Sequence, residues 1–279
     1  MDPDRPASDV DALLDAVRAS EQAPTLDELA AAAHVSRFHL SRLLRDRLGF
    51  PLRDYLAALK VERGIDALVA GHPVTRSQHE GGHESPSSYA RSFARHTGLA
   101  PSRYRAQMAS LAAHLLRHMD RADPFVALYR AFDPAAHRQP HPLTLRVTGA
   151  LPGSALFAAL HGEQIVRAAP DLGIALLGTA EHTVTEIPDG TYYAMVVELP
   201  RDRGVRPYFT MVDNRRQLRR EPITFPLTEP TEVTLALRDR LPGDPPITPN
   251  LPKLFLDGLL GRVAVQDRNP GQATPDGVS

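Results

Sequence analysis

The hydrophobic period of this chain changes once, and that change requires two different cores. Val10, Leu13, Leu14 and Val17 open a region in which apolar residues recur at i, i+3, i+4 and i+7, the spacing of one helix face. From Leu143 onward the apolar residues fall instead into short runs bounded by Gly, Pro and Asp: 143–148, 155–160, 173–177, 192–199 and 232–237. Such runs read as strands, and long helical periods do not return. Between the two regimes, residues 133–142 carry three prolines and two histidines. A length of 279 residues suits two cores. The expected architecture is therefore multidomain, an all-α domain over 8–121 followed by a mostly-β, sandwich-like domain over 143–264. Residues 122–142 are expected to form a linker, and 265–279, without apolar periodicity, a disordered tail.

Start and stop signals divide the first region further. Thr25 and Glu28 stand three apart, the arrangement in which each satisfies the other's backbone N–H, and predict a helix through Ala33. His34-Val35 is a short turn, Ser36 caps a helix over 37–48, and Gly49 ends it. A longer helix follows from about Leu52 to Ala70, stopped by Gly71 and Pro73. The short plan then repeats: a brief helix from Val74, a turn at Gly81-Gly82, and Ser85-Pro86 opening a helix that Gly98 ends. A further helix is expected from Pro101 to about Arg121. Helix, tight turn, helix thus occurs twice, making this a double helix-turn-helix arrangement.

Charge and composition permit a nucleic-acid partner. The whole chain carries a formal charge of −1, but phosphates respond to the nearby face. Between Pro24 and Arg105, twelve Lys/Arg stand against eight Asp/Glu. There is no cysteine, which removes disulfides and thiolate chemistry. An acidic start and the lack of any run of about 18 apolar residues argue against secretion and membrane insertion, so a cytoplasmic protein is expected.

The motif scan points away from catalysis. His79-Glu80-Gly81-Gly82-His83 matches the H-E-x-x-H zinc-hydrolase pattern, with Glu80 as the general base. That pattern needs a helix through two helix-weakening glycines at a place where the surroundings ask for a turn. His114 and His118, at i, i+4, could clip a metal but read as a solvated helix face. No catalytic residue, metal ligand or cofactor is expected.

Four stretches of the first region together carry a family resemblance: residues 35–44 with Gly49-Phe50-Pro51, Tyr55 with Lys60-Val61-Glu62-Arg63, residues 82–93, and residues 98–105. In order over some eighty residues, they resemble the AraC/XylS family of transcription regulators. The resemblance implies sequence-specific binding of double-stranded DNA by two recognition helices. Carried over residue by residue, it implies base contacts from Arg37, Phe38, Ser41 and Arg42 in the first unit, and from Pro86, Ser87, Ala90 and Arg91 in the second. Arg45 and Arg95, one turn further along, are expected on phosphates. The chain departs from the family at Ser77 and Gln78, where an aliphatic residue and an alanine are usual, at Gly81, usually aliphatic, and at His83, usually aromatic. These polar and small residues lead to the expectation that the first unit dominates binding.

The second region is similar, weakly, to transthyretin-like and carboxypeptidase-regulatory-like β-sandwiches through Ile187-Pro188-Asp189-Gly190-Thr191-Tyr192-Tyr193. An α/β effector-binding module ranks second, because its long helices have no counterpart here. Tyr192, Met195, Phe209 and Met211 either line a pocket or form plain core. The domain is expected to sense a small-molecule effector or support a homodimer. RNA polymerase is a further possible partner, and no membrane is expected. A DNA-binding architectural protein without an effector is the remaining alternative.

Overall fold

The computed structural model describes residues 5–20, 24–118, 124–260 and 266–268. Seven helices come first: α1 (Arg5–Ala19), α2 (Leu26–Ala32), α3 (Arg37–Leu48), α4 (Leu52–Val69), α5 (Val74–Glu80), α6 (Pro86–Thr97) and α7 (Pro101–His118). Strands follow: β1 (Phe125–Arg130), β2 (Arg138–Thr148), β3 (Ala155–His161), β4 (Leu172–Leu177), β5 (Glu181–Glu186) and β6 (Gly190–Leu199). The chain continues with β7 (Arg216–Leu218), β8 (Ile223–Phe225), β9 (Thr231–Ala236), a short helix α8 (Leu251–Leu259) and β10 (Gln266–Arg268). This is the helix-then-sheet layout expected from the change of period.

The helical caps are those the sequence announces. Thr25 accepts from Glu28 N at 3.2 Å while Glu28 Oε2 accepts from Thr25 N at 2.7 Å. Ser36 and Ser85 cap α3 and α6 by accepting from His39 N and Ser88 N. Gly49 and Gly98 end the same two helices in the left-handed region, at φ +83° and +77°, where a Cβ is unfavourable.

The long helix α4 is keyed to its neighbours by the Lys60–Arg63 stretch. Lys60 donates to Gly82 O in the second turn. Glu62 is buried and paired with Arg18 of α1 at 2.6 Å. Arg63 donates to the carbonyls of Val17, Arg18 and Ser20, the groups a helix C-terminus leaves without partners.

Strands β10-β1-β4-β3-β6-β7 form the larger sheet, with β8 also paired to β6; β5-β2-β9 form the smaller one. The two sheets face each other across one core, with Leu143, Leu145, Val147 and Val233 opposite Leu128, Leu156, Ile174 and Val196. Tyr192 locks the turn before β6 by donating to Pro188 O at 3.1 Å and packs edge-on against Phe225. Met195, Phe209 and Met211 lie in a second cluster with Leu111 of α7 and Ile247. The larger sheet is therefore covered on both faces, by the small sheet and by α7 with α8. That double burial explains why β3, β4 and β6 are almost continuously apolar, whereas β2 alternates Leu143, Leu145, Val147 with outward Thr144, Arg146, Thr148.

Three local expectations change. The segment 122–142 holds β1 and the first residues of β2. Prolines 140 and 142 are tolerated because the β2–β5 register shifts between Arg138 and Leu143, freeing the ladder there of their missing N–H groups. Within 265–279, Gln266–Arg268 pairs antiparallel with β1; the rest of that tail lies outside the described residues. His114 is not on a solvated face, because its ring packs against Phe255 of α8 at 5.1 Å; the His118 side chain lies outside the described residues.

One carboxylate is out of place energetically. Asp66, partly buried on α4, has its carboxyl pushed up to about 7, chiefly by burial and then by Glu62, against the opposing pull of Arg206. A folded-state value above that of an unfolded Asp favours the neutral form, so its contribution is complete at acid pH and is lost as pH rises through about 7. Asp66→Asn is expected to stabilise the protein at pH 8 by about 1–2 kcal/mol, the full shift being discounted for partial exposure. At pH 4 it should bring no such gain. Urea midpoints at the two pH values measure this, and an equal effect at both would contradict it.

Candidate nucleic-acid interface

The two recognition helices are built alike. Each has 12 residues, a serine cap at its N-terminus and a glycine stop. In α3, Arg37, Phe38, Arg42 and Arg45 are exposed and Ser41 is half-buried. In α6, Pro86, Ser87, Arg91 and Arg95 are exposed and Ala90 is half-buried. Leu40, Leu44 and Leu48 turn the opposite face of α3 into the core, as Tyr89 and Phe93 do for α6. Among the described residues, none of the sandwich covers the exposed positions of either face.

Arginines in this region divide into two kinds. Arg47 is held by Asp11 through two bonds of 2.7 Å, Arg76 by Glu80, and Arg63 by the carbonyls of α1. Among the described residues, Arg37, Arg42, Arg45, Arg91 and Arg95 make no ion pair; Arg37 lies over the ring of Phe38 at 4.9 Å. Phe38 itself is 75% exposed, an apolar group of the kind that contacts a thymine methyl. Guanidiniums without carboxylate partners, on the open face of a helix with a free N-terminal turn, can reach guanine edges and phosphates.

The spacing device is α4. It packs against α3, α5 and α6, and its 18 residues span about 27 Å. A rigid element of that length suits two helices that enter grooves about one DNA turn, or 34 Å, apart.

The polar residues of the second unit turn out to be its packing solution. Ser77 is fully buried, donates to Gly64 O at 2.6 Å and pairs with the Tyr89 hydroxyl. A Cβ on Gly64 would stand 2.8 Å from that hydroxyl, and one on Gly81 would stand 2.8 Å from Lys60 O. So α5 approaches α4 too closely for aliphatic residues, and small ones let the helices meet. His83, Tyr89, Phe93 and Tyr104 then stack in sequence at 5.2–5.4 Å between ring centres. Of the residues that led sequence reasoning to expect a weak second unit, Ser77 and Gln78 are hydrogen-bonded, and Gly81 and His83 are close-packed.

The H-E-x-x-H match is broken by the same geometry. Helix α5 ends at Glu80, and Gly82 lies in the left-handed region, so His79 and His83 are not on one helix face. Among the described residues no group of three or more His, Asp or Glu gathers to hold a metal ion.

Sequence reasoning missed how the reading units are held. The loop between β3 and β4 touches both. Ile165 enters the core of the first unit and Arg167 pairs with Asp54 at 3.0 Å. Ala168, at φ +52°, donates its N–H to His96 O at the end of α6. Tyr104 donates to Pro249 O and Thr248 to His96 O from the sandwich side. The recognition helices are thus gripped at their C-terminal ends and open at their N-terminal ends.

A family model described as a helix-turn-helix domain matches residues 29–107, from α2 into α7, so the matched segment contains both units and their spacer. No curated protein matches the chain. Among solved structures, a protein of unknown function from Listeria innocua is similar over 35% of this chain and 94% of its own, at 23% identity and a TM-score of 0.33. The matched segment, with its two capped helices α3 and α6, is a DNA-binding helix-turn-helix domain with the helix-turn-helix plan present twice. Residues 29–107 thus carry a DNA-binding helix-turn-helix segment that resembles those of AraC/XylS-type transcription regulators. No helix among the described residues is long and apolar enough to cross a membrane.

Proposed function

We propose that this regulator reads two successive major-groove segments of double-stranded DNA, one with α3 and one with α6, and that its sandwich domain senses a small-molecule effector. Arg42 and Arg91 read base edges, helped by Arg37, Phe38 and Ser41 in the first unit and by Pro86, Ser87 and Ala90 in the second. Arg45 and Arg95 hold phosphates. The observation that carries this reading is the set of exposed arginines without ion-pair partners on the outward faces of both helices, Arg37, Arg42 and Arg45 on α3 and Arg91 and Arg95 on α6, while Arg47, Arg63 and Arg76 nearby are engaged.

The grip of one β3–β4 loop on both units supports a sensing role. A change in how the sandwich seats itself alters how both recognition helices are presented, provided that an effector distinguishes the two states. Dimerisation through the sandwich and contact with RNA polymerase are compatible additions to the same scheme.

Salt dependence separates phosphate contacts from base contacts. Arg45→Ala and Arg95→Ala should each weaken binding similarly on all sequences and reduce the slope of log K against log salt by about 1. Fluorescence anisotropy on a selected site and on a scrambled duplex measures both. An unchanged slope would remove these two residues from the backbone contacts. A wild-type protein that binds both duplexes equally would favour an architectural role instead.

A further inference from the structure

A cavity of about 460 Å³ lies between α7, the outer face of the larger sheet and α8. Strand register explains it. Ala127 faces Ala175 across β1 and β4, and Ala175 faces Phe157 across β4 and β3. Ala127 and Ala175 side by side, with Gly173 and Ala155 also lining the cavity, leave a shallow trough beside the larger Phe125, Tyr129 and Phe157. Leu111 of α7 and Phe255 of α8 line the cavity on the helical side. Its volume falls within the range of small-molecule sites, roughly 300–1,000 Å³.

The polar side chains that line this trough are few: Arg201, Tyr129, Tyr208 and the His114 imidazole, which packs on Phe255. Arg201, just beyond β6, is half-buried and makes no side-chain hydrogen bond or ion pair among the described residues. No carboxylate lines the cavity among those residues, and Arg201 is its one guanidinium or ammonium group. Tyr129 and Tyr208 also line it, and burial pushes both phenols up, keeping them neutral donors. An apolar trough with one unpartnered cation and two hydroxyl donors at its edge has no complement within the described chain.

We infer that this cavity binds an apolar small molecule carrying one anionic group, its apolar part over Ala127 and Ala175 and its anion at Arg201. Such a ligand touches α7, which packs on α6, and β3 and β4, whose connecting loop grips both recognition helices. It therefore binds the docked arrangement of helices and sandwich in preference to an undocked one. That consequence for DNA rests on the regulator reading above; the binding itself does not.

The test uses the full-length protein, decanoate as the anionic probe and decanol as its uncharged counterpart, with displacement of a fluorescent naphthalene sulfonate as the signal. Decanoate is expected to bind at one per chain and about tenfold more tightly than decanol, the effect of one charge-assisted contact. Arg201→Ala should bring decanoate down to the level of decanol. Ala175→Phe, or Ala127→Leu if the first variant does not fold, should abolish binding of both probes without changing DNA affinity. Equal affinity for the two probes, or unchanged decanoate binding in a folded trough-filling variant, would overturn the inference, as would no binding at all. Site-specific DNA binding that survives such a result would leave the regulator reading intact. Decanoate binding by a protein that shows no DNA preference would separate the two the other way.

Discussion

Arg42→Ala and Arg91→Ala are each expected to cost about 1–3 kcal/mol of affinity for a specific site, roughly 5- to 150-fold, and to relax base preference at one position in one half of that site. The loss should be specific: affinity for a scrambled duplex should fall much less, because neither residue is assigned to the backbone. The two losses should also be comparable. The sequence-based expectation that the first unit dominates rested on Ser77, Gln78, Gly81 and His83 weakening α5. In the structure Ser77 has two buried hydrogen-bond partners, Gly81 permits the approach of α4, and His83 joins an aromatic stack. The ground for an inferior second unit is gone. A titration in which Arg91→Ala is silent while Arg42→Ala is severe would restore it.

Ser77→Leu, which restores the side-chain type usual in the family, is expected to destabilise the protein by about 2–5 kcal/mol. Two effects act together. Leucine adds two heavy atoms and a branch to a fully buried position where the α4 backbone lies close, and overpacking costs about 1–3 kcal/mol. It also strips the Tyr89 hydroxyl of its partner, and an unsatisfied buried hydroxyl costs about 1–3 kcal/mol. Ser77→Ala should cost less than Ser77→Leu, since it removes the bond without adding volume. Thermal or urea unfolding of both variants ranks them. A Ser77→Leu protein more stable than wild type would show that the close α4–α5 approach does not hold in solution.

Much of this organisation was legible from spacing alone. Thr25 with Glu28, Ser36 with Gly49, and Ser85-Pro86 with Gly98 mark helix ends through local chemistry that tertiary context seldom overrides, and all three appear as expected. The five strand segments read from Leu143 to Leu237 also appear. What escaped depended on partners distant in sequence. Strand β1 was hidden because the Pro and His content of the following segment reads as linker. Only pairing of β1 with β4, some fifty residues on, makes it a strand. Helix α8, whose Leu254 and Phe255 help to close the cavity, was likewise unread. A signal for the helical cover did exist: β3, β4 and β6 lack the polar alternation of a sheet with one wet face. That pattern implies a second layer, although not which helices supply it.

The residues proposed to contact DNA came to light in a different way: a residue-by-residue likeness named them, and the structure leaves them exposed or, for Ser41 and Ala90, half-buried. The β3–β4 loop, by contrast, carries no motif. Its role follows from Ile165 reaching one unit while Ala168 bonds the other, a relation that exists only in three dimensions. It also means that the sandwich is not a separate appendage on a tether. The two modules share a packed seam in which Leu111 of α7 sits among Met195, Val197 and Tyr208 of the sheet side.

The central claim, two-segment reading by one chain, is tested most directly by selecting bound sites from random duplex DNA with the full-length protein at near-physiological salt, alongside Arg42→Ala and Arg91→Ala. The account predicts a motif in two parts about one helical turn apart, one part lost in each variant. A motif confined to one groove segment, or one in which both parts survive both substitutions, would contradict it.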